Sequence, residues 1–265
     1  MVTRHDSIRM AAFFVIFVCL AFPSPDCAQG QQQNQQQKLP VVVSPSDPAL
    51  DAMLAAQDWK GLGEALNNPK DSATFTKNMD WLHAKVAAGE GYLLSFMYMK
   101  YLWTVGNSSN TSDPGHDMRM TAGFMALYNY ELIVIDGAKC ADPSAAGTRL
   151  DQLFLHGRDV FSFLKKQTPE WKAKLVEIAI AYEKNTAPRR KEDMYLCGGG
   201  LDAIRAGLEH GQQQQVPTQP GHIGTTVAVE PPADWSPKFL TPDIYTPMQD
   251  RARAGMRERL LKLME

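Results

Sequence analysis

The segment MRMTAGFMALYNYELIVI, from Met118 to Ile135, decides the fold that we predict for this chain. As a helix it would be apolar on nearly every side, and its main interruptions are Arg119, Asn129 and Glu131. A helix of this kind must be covered by other elements all round. The segment from Tyr92 to Val105 is similarly apolar and too short for a membrane span. We therefore predict two buried helices at the centre of the fold.

The rest of residues 47–210 is also predicted to be helical. Trp171, Leu175, Ile178 and Tyr182 recur at the spacing of one helix face. No alternating pattern of strand type occurs between residues 48 and 210. Continuous helical patterns run from Leu50 to Leu66 and from about Arg149 to Lys166. The prediction is an all-α domain, an irregular bundle or array of about six to eight helices with one disulfide.

The N-terminus has the features of a secretory signal. Arg4 and Arg9 precede the apolar run from Met10 to Phe22, which Pro23 and Pro25 follow. That run suits the core of a signal peptide and falls short of the ~20 residues of a membrane span. We predict a signal peptide at residues 1–28 and a secreted protein, periplasmic in a bacterial host. An uncleaved membrane anchor remains the alternative.

The predicted signal peptide determines which cysteines the mature protein keeps. Cys19 and Cys27 would leave with the signal, and Cys140 and Cys197 would remain in an oxidising compartment. Two such cysteines most simply form one structural disulfide. A reactive pair is the alternative, but no C-x-x-C spacing is present.

Two polar segments flank the helical domain. Residues 29–46 are Gln-rich and residues 211–246 are rich in Pro and Gln, which predicts a disordered tether and an extended linker. Within the linker, TTVAV is one possible short strand. A C-terminal amphipathic helix is predicted at residues 247–265, with Pro247 in its first turn. Its apolar stripe contains Met248, Ala252, Met256, Leu260 and Leu263. The stripe must dock on the protein's own core or on a partner.

Charge and motifs exclude several classes of function. The 27 basic and 29 acidic side chains give a net charge of −2, so we expect no nucleic-acid binding. The six histidines are scattered, without H-x-x-x-H or H-E-x-x-H spacing, and we expect no metal. No P-loop, dinucleotide fingerprint or G-x-S-x-G elbow occurs, and no cofactor is expected.

A few polar residues are candidates for a pocket. Lys100 and Glu131 lie inside apolar segments, and a buried charge requires a partner. We predict that Glu131 pairs with Lys100 or with Arg119, either structurally or in a pocket between residues 92–105 and 118–135. The alternative is that these charged side chains reach the surface. His116 and His156 are further candidates for that pocket.

A glycine run offers another possibility. Gly198-Gly199-Gly200 precedes a predicted helix and could present backbone N–H groups to an anion, with Arg189-Arg190-Lys191 nearby in sequence. The alternative is that the glycines relieve crowding behind the disulfide and that the basic triplet is a solvated loop.

These features predict a secreted helical protein of binding or scaffold type, with no identifiable catalytic motif. An envelope protein would bind through the C-terminal helix. One alternative is a small-molecule-binding protein or an enzyme whose pocket lies between residues 92–105 and 118–135. A purely structural domain is the third possibility.

Overall fold

The computed structural model describes residues 46–108, 117–218 and 224–265. These residues form twelve α-helices and one two-stranded sheet. The helices are α1 Pro48–Ala55, α2 Trp59–Asn67, α3 Ser72–Ala87, α4 Tyr92–Ser108, α5 Met118–Asp136, α6 Ser144–His156, α7 Arg158–Lys165, α8 Pro169–Thr186, α9 Met194–Cys197, α10 Leu201–His210, α11 Pro242–Ala254 and α12 Met256–Leu263. The strands are β1 Gln212–Val216 and β2 Thr226–Glu230. The predicted signal peptide and all but residue 46 of the predicted tether lie outside the described residues.

Helix α5 is the centre of the fold, as its composition predicts. It packs against α4, α6, α7, α8 and α11. Small residues permit close approach: a Cβ on Gly123 would lie 2.6 Å from Cδ2 of Leu164. The helix is apolar on nearly every side because helices cover it on nearly every side.

The apolar interior has two parts that meet at α4. The larger cluster surrounds α5 and includes residues from α6 to α9, α11 and α12. The smaller cluster joins α1 to α4, with Leu62, Leu66, Trp81 and Leu82 fully buried. Helix α4 supplies residues to both clusters, so it holds the N-terminal helices against the α5 core.

Besides the C-terminal segment described below, two segments that we predicted as single helices are each divided in two, which corrects the predicted number of helices. Between α1 and α2, Gln57 adopts a left-handed conformation with φ of 56°. Asp58 then caps α2, because its carboxylate accepts a hydrogen bond from the backbone N–H of Gly61 at 2.8 Å. Between α6 and α7, Gly157 leaves the helical conformation and joins the two helices. Apolar spacing continues through both breaks, so it did not reveal them.

A β-hairpin corrects the all-α class to a mostly helical fold with one small sheet. Strand β2, TVAVE, includes four residues of the segment considered as a possible strand. Its antiparallel partner β1, QQQQV, lies in the segment predicted as an extended linker. The glutamines of β1 have no strand pattern of their own. Their backbone groups pair with β2, and the hairpin packs against α10.

The predicted disulfide between Cys140 and Cys197 is confirmed. Both cysteines are buried in the larger cluster. The chain after β2 passes beside this disulfide: the N–H of Ala141 donates to the carbonyl of Lys238 at 3.0 Å, and the N–H of Leu240 donates to that of Lys139 at 2.8 Å. The disulfide thus lies where the end of α5, α9 and the C-terminal segment meet.

The C-terminal segment folds onto the protein's own core. Four of the five residues in its predicted stripe pack in the larger cluster, and Met248 is exposed. The predicted start was wrong, because α11 begins at Pro242 and contains Pro247. Pro242 suits the first helical position, whereas Pro247 is the sixth residue and has no N–H to donate to the carbonyl of Asp243. A helix break at Gly255 then separates α11 from α12.

None of the helices in residues 46–108, 117–218 and 224–265 combines the length and apolar character required to cross a membrane.

Candidate functional site

The residues that we predicted as pocket candidates do not converge. Lys100 and His156 are exposed. Arg119 is paired with Asp117, its neighbour at the start of α5, with Nη2 at 2.6 Å from Oδ2. His116 lies outside the described residues. The predicted pairing of Glu131 with Lys100 or Arg119 is therefore wrong.

Glu131 itself is buried without a partner. Its side chain is 1% exposed, and neither carboxyl oxygen makes a hydrogen bond within the described structure. Burial, followed by the nearby carboxylate of Glu183, raises its pKa to about 9. A carboxyl in this environment is neutral at pH 7, because the interior disfavours the charged form.

A cleft lies at a different place, between the N-terminal helix pair and the segment that leads into α9. Its volume is about 680 Å³. Three stretches distant in sequence line it: residues 51–59 of α1 and α2, residues 85–94 around the turn between α3 and α4, and residues 189–195. Asp136, at the end of α5, completes the lining.

The floor of the cleft belongs to a buried network of charges. Nε of Arg190 donates to Oδ2 of Asp136 at 2.6 Å, and Nζ of Lys139 lies 3.1 Å from Oδ1 of the same carboxylate. Arg190 also pairs with Glu183, which Arg253 of α11 contacts at 3.0 Å. Burial opposes the charge of Arg190, but the two carboxylates outweigh it and raise its pKa. This network fixes the floor and corrects the prediction of a wholly solvated basic triplet.

Asp193 fixes the side of the cleft where α4 and α9 begin. Its carboxylate accepts hydrogen bonds from the backbone N–H of Leu196 at 2.8 Å and of Tyr92 at 2.6 Å. It therefore caps α9 and also accepts a hydrogen bond from the backbone N–H of the first residue of α4. Burial raises the pKa of this carboxyl.

Trp59 and Tyr195 provide an aromatic wall. Their rings meet edge to face, with centroids 5.7 Å apart. The guanidinium of Arg149 lies over the ring of Tyr195 at 3.9 Å and donates from Nε to its backbone carbonyl at 3.1 Å. In the described part of the chain, neither the indole N–H of Trp59 nor the hydroxyl of Tyr195 has a hydrogen-bond partner. The wall is thus held in place while its polar ends remain free.

Left-handed turns and exposed charges border the cleft. Gln57 has a φ of 56° and Gly89 a φ of 87°. Lys85 pairs with Asp51 at 2.7 Å. Four further charged side chains are exposed at this border: Glu90, Arg189, Lys191 and Glu192. A left-handed residue other than glycine is uncommon, and such residues gather at ligand sites.

The glycine run at the start of α10 has a structural role. The carboxylate of Asp142 accepts from the backbone N–H of Asp202 at 2.9 Å, so this helix N-terminus already has an acidic partner. A Cβ on Gly199 would lie 2.7 Å from the guanidinium carbon of Arg149. A second cavity of about 300 Å³ lies nearby, lined by Asp142, Cys197, Asp202, Arg205, Ala206, Glu209, Trp235, Ser236, Pro237 and Lys238.

The sequence contained signals of this cleft that our predictions used only in part, as the basic triplet Arg189-Arg190-Lys191. Residues 189–193 are five consecutive charged residues, which is unusual beside a buried helix. Gly89 and Gly91 flank Glu90, an arrangement typical of a turn with a left-handed position. Nothing in the sequence indicates that these two stretches meet Trp59.

Comparison of the chain with protein families, curated proteins and solved structures gave no match. Within the described residues, no cluster of three or more His, Cys, Asp or Glu side chains is placed to hold a metal ion.

Proposed function

We propose that this protein binds a small organic molecule in the cleft between α1–α2 and the segment 189–195. The observation that carries the proposal is the pair of aromatic side chains, Trp59 and Tyr195, with free polar ends in a concave site. Ligand sites typically combine apolar and aromatic walls with a few polar groups, in volumes of ~300–1,000 Å³. The cleft, at about 680 Å³, lies within that range.

The surroundings of the cleft favour a site formed before the ligand arrives. The floor is held by Arg190, Asp136 and Lys139, and one wall by Arg149. Rigid side chains reduce the entropy lost on binding. Binding alone is proposed, because the carboxylates of Asp51, Asp136 and Asp193 are already engaged by Lys85, Arg190 and backbone N–H groups.

A ligand-observed NMR screen tests this proposal with a library of amino acids, short peptides, sugars and aromatic carboxylates. Tyr195→Phe removes one hydroxyl and should weaken cleft ligands by about three- to tenfold, the value of one neutral hydrogen bond. Trp59→Phe should weaken them as well.

Two matched variants serve as controls. Tyr130→Phe removes a hydroxyl outside the cleft, and Trp235→Phe alters the second cavity. The proposal is wrong if no compound binds, or if binding responds to Trp235→Phe and not to the cleft variants.

A protein partner at the C-terminal helices remains a second proposal. Its support is the outer face of α11, where Ile244 and Met248 are about half exposed while the rest of the stripe packs inward. An envelope protein would have to bind this outer face. Ile244→Lys with Met248→Lys should then abolish co-purification with that protein and leave the unfolding midpoint unchanged.

Secretion after cleavage at about residue 28 is also proposed. Its support is the apolar run from Met10 to Phe22 together with the Cys140–Cys197 disulfide, a bond typical of oxidising compartments. The intact mass of the exported protein, measured with and without reduction, would establish both the cleavage site and the disulfide. An exported chain that retains residues 1–28 would contradict the proposal.

A further inference from the structure

The charged groups of the cleft differ in whether the fold already uses them. Asp51 is paired with Lys85 at 2.7 Å, and Asp136 with Arg190 at 2.6 Å. Asp193 accepts two backbone hydrogen bonds. These groups stabilise the walls and floor, so they are not free to select a ligand.

Four charges at the border of the cleft are free. Glu90, Glu192 and Lys191 make no side-chain hydrogen bond or ion pair within the described structure, and Arg189 donates only to the carbonyl of Ala87, at 3.2 Å. Two of these side chains are acidic and two are basic. The border therefore presents both signs of charge in equal number.

The fold brings these charges to one opening. Gly89 adopts its left-handed conformation directly against Arg189, and a Cβ added to it would lie 3.0 Å from Cβ of Arg189. Glu90 follows at the next position, so the turn that carries Glu90 lies against the segment that carries the other three charges. A ligand with charge of only one sign would be attracted by two of these groups and repelled by the other two.

One wall of the cleft is apolar and aromatic, unlike its charged floor and border. Trp59 and Tyr195 line the cleft together with Leu54 and Leu93. Aromatic side chains bind apolar and ring-shaped groups through large contact areas. The volume of about 680 Å³ exceeds the needs of a single amino acid.

The geometry points to a short peptide with both termini free and an apolar or aromatic side chain as the ligand of this cleft. The side chain packs against the wall that Trp59 and Tyr195 form together. The ammonium group is bound by Glu90 and Glu192, and the carboxylate by Arg189 and Lys191. This inference rests on the proposed function, because it names the ligand class of the same cleft.

Calorimetry with the peptide Gly-Phe-Gly and two derivatives tests the inference. N-acetylation removes only the positive charge, and C-terminal amidation removes only the negative charge. Each change should weaken binding by about 1.5- to fivefold, the range of solvent-exposed ion pairs.

Charge-neutral variants assign each terminus to its partners. Glu90→Gln with Glu192→Gln should remove the preference over the acetylated peptide and keep the preference over the amide. Arg189→Gln with Lys191→Gln should do the reverse. Glu258→Gln with Lys262→Gln, on the exposed side of α12, is the matched control and should change neither preference.

The two proposals fail in different ways. If the three peptides bind equally, or if none binds while other compounds still bind in a manner sensitive to Trp59→Phe, the peptide inference is overturned and the cleft remains a ligand site. If no compound of any class responds to the cleft variants, both are overturned.

Discussion

At the scale of single residues, Glu131 is the most unusual group in the described structure. Its carboxyl is buried without a hydrogen bond, and its surroundings include Glu183, Arg190 and Lys184. Asn129 and Ser95 likewise have side-chain polar atoms that are buried and unpaired. Unpaired buried polar groups destabilise a fold. Substitutions at these central positions can therefore raise the free energy of unfolding.

Glu131→Gln should make the protein more stable above neutral pH. The pKa of Glu131 is raised from 4.5 to about 9, so the folded state holds a proton that the unfolded state releases between these values. Stability from this group is complete below pH 4.5 and falls by about 1.4 kcal/mol per pH unit up to about pH 9. Glutamine removes this dependence.

Urea unfolding at several values between pH 5 and pH 8 measures the effect. The slope of the free energy of unfolding against pH should be smaller in Glu131→Gln than in the wild type. Glu64→Gln, on the exposed side of α2, is the control and should keep the wild-type slope. An equal slope in all three proteins would show that Glu131 is ionised in the folded state.

Arg190 and Arg189 are adjacent, but substitution by glutamine should destabilise the protein much more at Arg190 than at Arg189. Arg190→Gln leaves the buried carboxylates of Asp136 and Glu183 without their shared partner. Breaking a buried ion pair destabilises by about 3–5 kcal/mol. Arg189→Gln changes an exposed side chain and should cost less than about 0.5 kcal/mol. Thermal unfolding of both variants compares them directly, and similar melting temperatures would contradict the structure.

At the scale of elements, the disulfide connects the segment after α5 to α9, a short helix with few contacts of its own. Helix α9 has only four residues, Met194–Cys197, and cannot be stable alone. Its position depends on Cys197, on the cap from Asp193 and on the bonds from Arg149 to Tyr195. The aromatic wall of the cleft therefore depends on the disulfide two residues away.

Replacing both cysteines by alanine should lower the free energy of unfolding by about 4 kcal/mol, as expected for a disulfide that closes a loop of this length. The cysteines are separated by 57 residues in the sequence. Urea unfolding, with the reduced wild type alongside the variant, provides the measurement. Hydrogen exchange should also quicken at the amides of Ala141 and Leu240, which bond to the neighbouring segments. Unchanged exchange there would show that these segments are held independently of the disulfide.

At the scale of the whole molecule, the C-terminal helices complete the core. Met256, Leu260 and Met264 are almost fully buried in the cluster around α5 and α8. Gln249 of α11 donates to the carbonyl of Ile135 at 3.1 Å, and Arg253 reaches Glu183. The last helices are thus part of the domain that supports the cleft floor.

Leu260→Ala should destabilise the whole protein by about 2–5 kcal/mol, because it removes a fully buried side chain. Met248→Ala, at an exposed position of the same segment, should change stability by less than about 1 kcal/mol. Chemical denaturation monitored by circular dichroism measures the change in the free energy of unfolding for both variants. If Leu260→Ala unfolds the last helices alone, in a separate transition, the C-terminal segment is a separate unit and not part of the core.

The sequence by itself determined the local and compositional features. It indicated the mostly helical class and the central place of α5, because a segment apolar on nearly every side has no other stable environment in water. The pairing of Cys140 with Cys197 also followed from residue type and position. These features depend on neighbouring residues or on a single possible partner.

Only the tertiary structure decided where the charges lie and where the cleft forms. Glu131 and Arg119 occupy one helix but face different surroundings, so their spacing in sequence could not predict a pair. The glutamines of β1 became a strand because β2 offers backbone partners. The cleft joins Trp59, Glu90 and Tyr195, which no periodicity relates. Contacts between distant segments depend on how whole helices pack, and that packing is set by the sum of many side chains.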